Sequence, residues 1–247
     1  MKKQNFFCIS AFLSVGLFAG ATLVSADETV TIKAKKFSLA NFVMPAGSTP
    51  GNIAVSTTQP SGITKSPTFK GTQQYYGQLD LGDPVNPYYF ALDLKNKDGK
   101  DTFVMYFDKN HNGDLTDDGD PLKNQGDGSG GPGGFATTLT VKWSKLIADP
   151  NDSFGTDPFS IWFFSNSNNW SSQKVSHYSR TQLKGSVTLG SQTYPAYLVD
   201  SGYNDANLIN DGVIIDLNKN GKYDQGEGPF TSTTVNGKTY NFNIAWK

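Results

Sequence analysis

Thr102-Phe-Val-Met-Tyr-Phe107 runs without a break into Asp108-Lys-Asn110-His-Asn112-Gly113-Asp114-Leu-Thr-Asp117-Asp118-Gly-Asp120. Gly212-Val-Ile-Ile215 runs in the same way into Asp216-Leu-Asn218-Lys-Asn220-Gly221-Lys222-Tyr-Asp224-Gln-Gly-Glu227, and the two starting aspartates stand 108 positions apart. Each apolar run is short, rich in aromatic or β-branched residues and bounded by turn formers. That is how a buried strand reads, because a helix needs a longer run with a period of about 3.6 residues. The chain is therefore read as strands that end in polar loops.

In both loops the oxygen-bearing side chains fall on alternate positions and a glycine stands sixth. A hard divalent cation takes about six to eight oxygen ligands, and a loop supplies them when alternate residues turn inward and a glycine lets the chain double back. The second loop, residues 216–227, fits the calcium pattern place by place. Asp216, Asn218 and Asn220 take the first three ligand places, followed by the Lys222 carbonyl, Asp224 and a closing Glu227. Glu28 and Glu227 are the only glutamates in the chain, and one of them falls on the bidentate position. The first loop, residues 108–120, fits once an extra residue is allowed around Leu115-Thr116. Its expected ligands are Asp108, Asn110, Asn112, the Asp114 carbonyl, Asp117 and Asp120.

Asp, Asn and Gly also build ordinary tight turns, because they reach left-handed backbone angles easily. Asn96-Lys-Asp98-Gly99 and Asn210-Asp211-Gly212 have that composition without the alternating donors and are read as hairpin turns. Two copies of the alternating pattern in register, both followed by carboxylates, favour calcium for the longer loops.

The second loop resembles the EF-hand calcium loop. Together the pair resembles the Asp-x-Asp-x-Asp-Gly sites of dockerins and other secreted bacterial proteins. That resemblance covers about a dozen residues per copy and implies calcium as the cofactor at the positions named. It implies neither EF-hand helices, since the preceding runs are β-prone, nor a dockerin's partner.

The duplication extends past the loops. Tyr76-Gly-Gln-Leu-Asp-Leu-Gly82 lines up with Lys184-Gly-Ser-Val-Thr-Leu-Gly190, and Pro87 with Pro195. Trp143 and Trp246 close the two copies. Strands are expected at 30–35, 78–81, 88–94, 102–107, 137–143, 159–164, 186–189, 196–199, 213–215 and 240–246. Few glutamates, many Gly, Ser, Thr, Asn and Asp, and abundant Tyr and Phe suit such a chain. The expected fold is all-β, with two related sandwich or barrel-like modules at residues 27–148 and 149–247.

Residues 1–26 read as a secretory signal, with Lys2 and Lys3, an apolar stretch from Phe6 to Val24, and Val24-Ser25-Ala26 before the cut. The expected location is thus outside the cytosol, secreted or periplasmic. No later apolar run approaches the roughly 20 residues of a membrane-spanning helix. With 21 Lys and Arg against 22 Asp and Glu, the charge balance is too even for recognition of a phosphate backbone, so nucleic acid is set aside as a partner.

Catalytic chemistry finds little support. His111 and His177 are the only histidines, Cys8 lies in the signal, and neither a Gly-x-Ser-x-Gly elbow nor a His-Glu-x-x-His pair is present. Asp80, Asp93, Asp200 and Asp205 could form an acidic pair, but nothing in their sequence context marks them out. Trp162 to Phe164 read as core, whereas Trp170, set among Asn and Ser, is a candidate ligand-binding ring. Asp127 to Gly134 is too glycine-rich to hold a fixed shape by itself. The resulting expectation is a secreted protein with structural calcium and a binding, adhesion or matrix role toward an extracellular ligand, with carbohydrate as one candidate. The alternative is a carbohydrate-active hydrolase using an acidic pair.

Overall fold

The computed structural model describes residues 27–41, 50–81, 87–97, 100–126, 135–142, 158–165 and 174–246. The expected signal, the glycine-rich run at 127–134, Trp143, Trp170 and the Asp98-Gly99 turn lie outside them. Among the described residues the protein is all-β, with four sheets, no closed barrel and no α-helix.

Three neighbouring strands at the N-terminus go to three different sheets. Strand β1 (Glu28–Lys33) runs parallel to β15 (Lys238–Ala245), which also pairs with β14 (Ser232–Val235). Strand β2 (Ser38–Asn41) joins β11 (Thr181–Leu189), which continues through β12 (Gln192–Val199) to β13 (Val213–Ile215). Strand β3 (Gly51–Ala54) joins β10 (Lys174–Ser179), followed by β9 (Pro158–Ser165) and β8 (Phe135–Lys142). The fourth sheet is a meander of β4 (Gln73–Leu79), β5 (Tyr88–Lys97), β6 (Lys100–Phe107) and the short β7 (Leu122–Lys123). The pairings β1–β15, β2–β11, β3–β10 and β8–β9 all cross the boundary expected at residue 148.

Alternation explains why these segments pair as they do. In β9, Phe159, Ile161 and Phe163 turn inward and are almost fully buried. Trp162 lies on the opposite face, with the Arg180 guanidinium 3.8 Å from its ring centroid. The Phe163 ring stands 6.1 Å from Phe90 and 6.0 Å from Phe107, which ties the β8–β9–β10 sheet to the meander. One apolar cluster runs from Ile32 through these rings to Trp246, and a smaller one gathers Ile63, Tyr76, Ala91 and Leu115 beside the first loop. β6 ends at Phe107 and β13 at Ile215, so each candidate loop begins on the next residue, at the end of a buried strand.

Candidate metal loops

Both loops hang on an aspartate sunk into the core. Asp216 is buried, and its two carboxylate oxygens accept the amides of Asn220 at 3.1 Å and Gly221 at 2.9 Å. Those bonds bend the chain back over its own strand. The reversal needs left-handed backbone at Lys219 (φ 57) and Gly221 (φ 74), and glycine meets the second requirement without strain. The Asn218 side-chain oxygen accepts the Asn220 amide at 3.0 Å, and the Asn220 oxygen accepts Lys222 N at 2.7 Å. Glu227 is also buried and reaches back to the start of the loop. Its Oε1 accepts the amides of Leu217 and Asn218, and its Oε2 that of Asp224.

The side-chain amides of Asn218 and Asn220 donate to Asp224 Oδ2 at 2.8 and 2.6 Å, so three expected ligand positions meet within hydrogen-bond distance. These donors hold the Asp224 carboxyl below its ordinary range. A half-turn of either amide would present its oxygen in place of its nitrogen at the same point, at the cost of the backbone amide that this oxygen accepts.

The first loop follows the same frame. Asp108 is fully buried and accepts Asn112 N at 2.9 Å and Gly113 N at 2.8 Å. The left-handed positions are His111 (φ 66) and Gly113 (φ 78). Asn112 donates to Asp117 Oδ2 at 2.9 Å, the counterpart of Asn220 and Asp224. His111 turns away from the donors and stacks on Tyr88, with centroids 4.5 Å apart, while its Nε2 lies 3.0 Å from the Pro87 carbonyl. Asp114 faces outward to Lys65 at 2.9 Å. That partner and Thr116 hold its carboxyl down at about 2.

The loops differ at their closure. Asp118 Oδ1 accepts the Asn110 amide at 3.0 Å, the bond that Glu227 makes to Asn218, and the Asp118 carbonyl holds Lys109 Nζ at 2.8 Å. Asp120, the expected counterpart of Glu227, is exposed. Asp118 Oδ2 is buried without a hydrogen-bond partner, and burial raises this carboxyl above its ordinary range. An orphaned acidic oxygen at the place where a closing ligand stands fits a cation. Residue count points to Asp120, whereas the short Asp118 side chain reaches the matching amide from one place earlier.

A third loop shares the frame, and it contains both Asp200 and Asp205 of the acidic-pair candidates and the Asn210-Asp211-Gly212 turn. Asp200 is buried at the end of β12 and accepts Asp205 N at 3.0 Å and Ala206 N at 2.9 Å. Asn204 (φ 53) and Ala206 (φ 66) take the left-handed positions. Asp211 closes the loop on the amides of Ser201, Gly202 and Tyr203, and Asn210 donates to Asp205 Oδ2 at 2.9 Å. Asn210-Asp211-Gly212 is thus the end of a long loop and not a hairpin turn, because Asp211 bonds back to the residues that follow Asp200. Burial, together with the charges of Asp211 and Asp205, raises the Asp200 carboxyl well above its ordinary range. Spaced Asn and Asp after β12 were the available signal, obscured by an extra residue and by Ala206 in the usual place of glycine.

Among the described residues no group of three or more His, Cys, Asp or Glu side chains is arranged to hold a metal ion. The frames described above are built from mixed Asn, Asp and backbone groups, and most of their carboxylate oxygens accept amide hydrogens. One further buried acid also serves the backbone. Asp93, fully buried, accepts Lys70 N, Gly71 N and the Gln74 side chain. His177 is buried in β10 with its Nε2 3.4 Å from the Asn204 carbonyl, and burial lowers its pKa. No protein-family model matches the chain, and neither does any curated protein or solved structure.

Proposed function

We propose that this is a secreted β protein, built from a duplicated unit, in which the loops at 108–118 and 216–227 each hold one calcium ion that stabilises the fold. The reading is supported most by the shared frame of the two loops. In each, a buried first aspartate accepts the amides four and five residues on, and a later carboxylate reaches back to the third residue of the loop. Asp216, Asn218, Asn220, the Lys222 carbonyl, Asp224 and Glu227 would hold the ion in one loop. Asp108, Asn110, Asn112, the Asp114 carbonyl, Asp117 and Asp118 would hold it in the other. With two neutral amides in each set, the expected affinity is moderate, on the order of 10⁻⁵ to 10⁻³ M, as in extracellular modules. Residues 1–26 would direct the chain out of the cytosol, where calcium at that level is available.

The metal's role in this reading is structural. A signalling loop acts by moving flanking helices, whereas these loops are flanked by β6 and β13, whose ladder bonds resist such a swing. An ion that binds only the folded chain at about 100-fold excess over its Kd adds roughly 2.7 kcal/mol per site. The remaining surface would serve a binding, adhesion or matrix role. Thermal melting of the chain from Asp27 onward tests the reading: Tm should climb with millimolar calcium and fall with chelator. An unchanged Tm would overturn it.

A further inference from the structure

β4 and β11 occupy matching places 108 residues apart, and both are left by their outer neighbour at the same point. Ser56 pairs antiparallel with Tyr76, exchanging backbone bonds of 2.9 and 2.7 Å, and upstream of it the chain leaves β4 to become β3 on another sheet. Ser38 pairs with Lys184 in the same sense, and upstream of it the chain leaves β11 to become β1 on β15. Among the described residues, Gly185 to Thr188 have no strand partner on that side, and β1 is a terminal strand of its sheet. Between these two strand edges lies a cleft of about 540 Å³, lined by Val30 to Lys33 on one wall and Gly185 to Thr188 on the other. Its matching cleft, beside Gly77 to Asp80, measures about 560 Å³. Both fall within the range of ordinary ligand sites.

The two clefts differ in charge and in rim. Among its described lining residues, the one beside β4 has Asp80 as the only carboxylate, and the largely exposed Tyr203 also lines it. Among the described residues, the one beside β11 carries Lys33 and Lys36, both exposed and neither in an ion pair, and is lined by no acid. The one ring among its described lining residues, Phe37, is buried and covers Gly185, where a Cβ would lie 2.7 Å from the ring. The described lining thus offers no aromatic platform for a sugar. Its walls are main chain from two strands, with Ser186 and Thr188 between them. Unpaired strand edges present alternating N–H and C=O groups that recognise another extended chain.

We propose that the cleft between β1 and β11 takes an extended acidic polypeptide segment, added as a strand along Gly185 to Thr188 with its carboxylates toward Lys33 and Lys36. Four paired residues span about 13 Å at strand rise, and the period of two places alternate side chains of the segment on the lysine side. This goes beyond the calcium reading and stands independently of it.

The test is calorimetric titration of the calcium-loaded chain with an end-blocked synthetic peptide of four Val-Glu repeats. The expected result is one peptide per chain. Lys33→Glu with Lys36→Glu should weaken binding at least about tenfold, because complementary charge turns into repulsion, with the circular dichroism unchanged. Asp80→Lys in the other cleft should leave this binding unchanged. A peptide N-methylated on every residue keeps its charge but has no N–H to give the ladder on either edge, and it should not bind. Absence of binding, equal binding by the N-methylated peptide, or competition by cellobiose each overturns the proposal.

Discussion

The loop after β13 and the loop after β6 take the same path and close differently. Glu227 reaches the Asn218 amide from the twelfth place with a long side chain, whereas Asp118 reaches the matching Asn110 amide from the eleventh with a short one. Closure is therefore set by which carboxylate can reach the amides at the loop's start, not by a residue count. Glu227 also accepts Asp224 N through its second oxygen, while Asp118 Oδ2 has no partner. The regular loop satisfies both of its closing oxygens internally. The shorter one leaves an oxygen over, so under the calcium proposal it would depend more strongly on the ion.

The largest effect is expected at the buried anchors. Asp108→Ala or Asp216→Ala removes a buried carboxylate that accepts two amides and should cost about 2–4 kcal/mol in calcium-free protein, since a hydrogen bond to a charged group contributes about 1.5–3 kcal/mol. Each variant should also lose the calcium response of its own loop and keep that of the other. Urea unfolding with and without calcium measures both. A variant that loses both responses would show that the loops are not independent.

Closure comes next. Asp118→Asn should weaken calcium at the first loop by about tenfold or more, and Asp120→Asn should change it by less than about twofold, because a charged ligand outweighs an exposed carboxylate outside the ligand set. The reverse order would restore the alignment that places Asp120 opposite Glu227.

The third loop gives a pH effect of known sign. The Asp200 carboxyl is raised by burial and by its acidic neighbours, so the folded chain holds a proton that the unfolded chain releases. Its contribution is present in full below the unfolded value of about 3.9 and is lost as pH rises through the folded value. His177, lowered by burial, acts in the opposite sense, because its contribution is lost as pH falls below about 6.5. Asp211→Asn removes a charge that raises Asp200, so the stability that the calcium-free protein gains from this acid between pH 7 and 4 should shrink. Urea midpoints across that range, compared with wild type, would show a flatter acid-side gain, and an identical profile would contradict the coupling.

The smallest effect belongs to His111. Loss of its stack on Tyr88 and of its contact with the Pro87 carbonyl in His111→Ala should cost about 0.5–1.5 kcal/mol and leave calcium affinity nearly unchanged, because the ring faces away from the donors. A large loss of affinity would place His111 in the metal site.

Every expected strand has a counterpart, because alternation of large apolar residues, as in Phe159 to Phe164, writes a buried face directly into the chain. β2, β3, β7, β10 and β14 carry no clear alternation in the sequence. Most are short, and in β10 the buried positions include Ser176, His177 and Ser179, whose polarity hides the pattern. Topology was least legible: nothing local in Glu28–Lys33 announces a parallel partner more than 200 residues away at Lys238–Ala245. Within the candidate sites, spacing exposed the anchors Asp108 and Asp216. The closing Asp118 and the loop from Asp200 to Asp211 depend on hydrogen-bond reach, which spacing does not encode.

Calorimetric titration of the chain from Asp27 onward with calcium tests the central claim most directly. Two sites per chain are predicted, one of them weakened about tenfold or more in Asp118→Asn and neither changed by more than about twofold in Asp120→Asn. No heat in wild type at millimolar calcium, or loss of a site in Asp120→Asn with Asp118→Asn intact, would contradict the account.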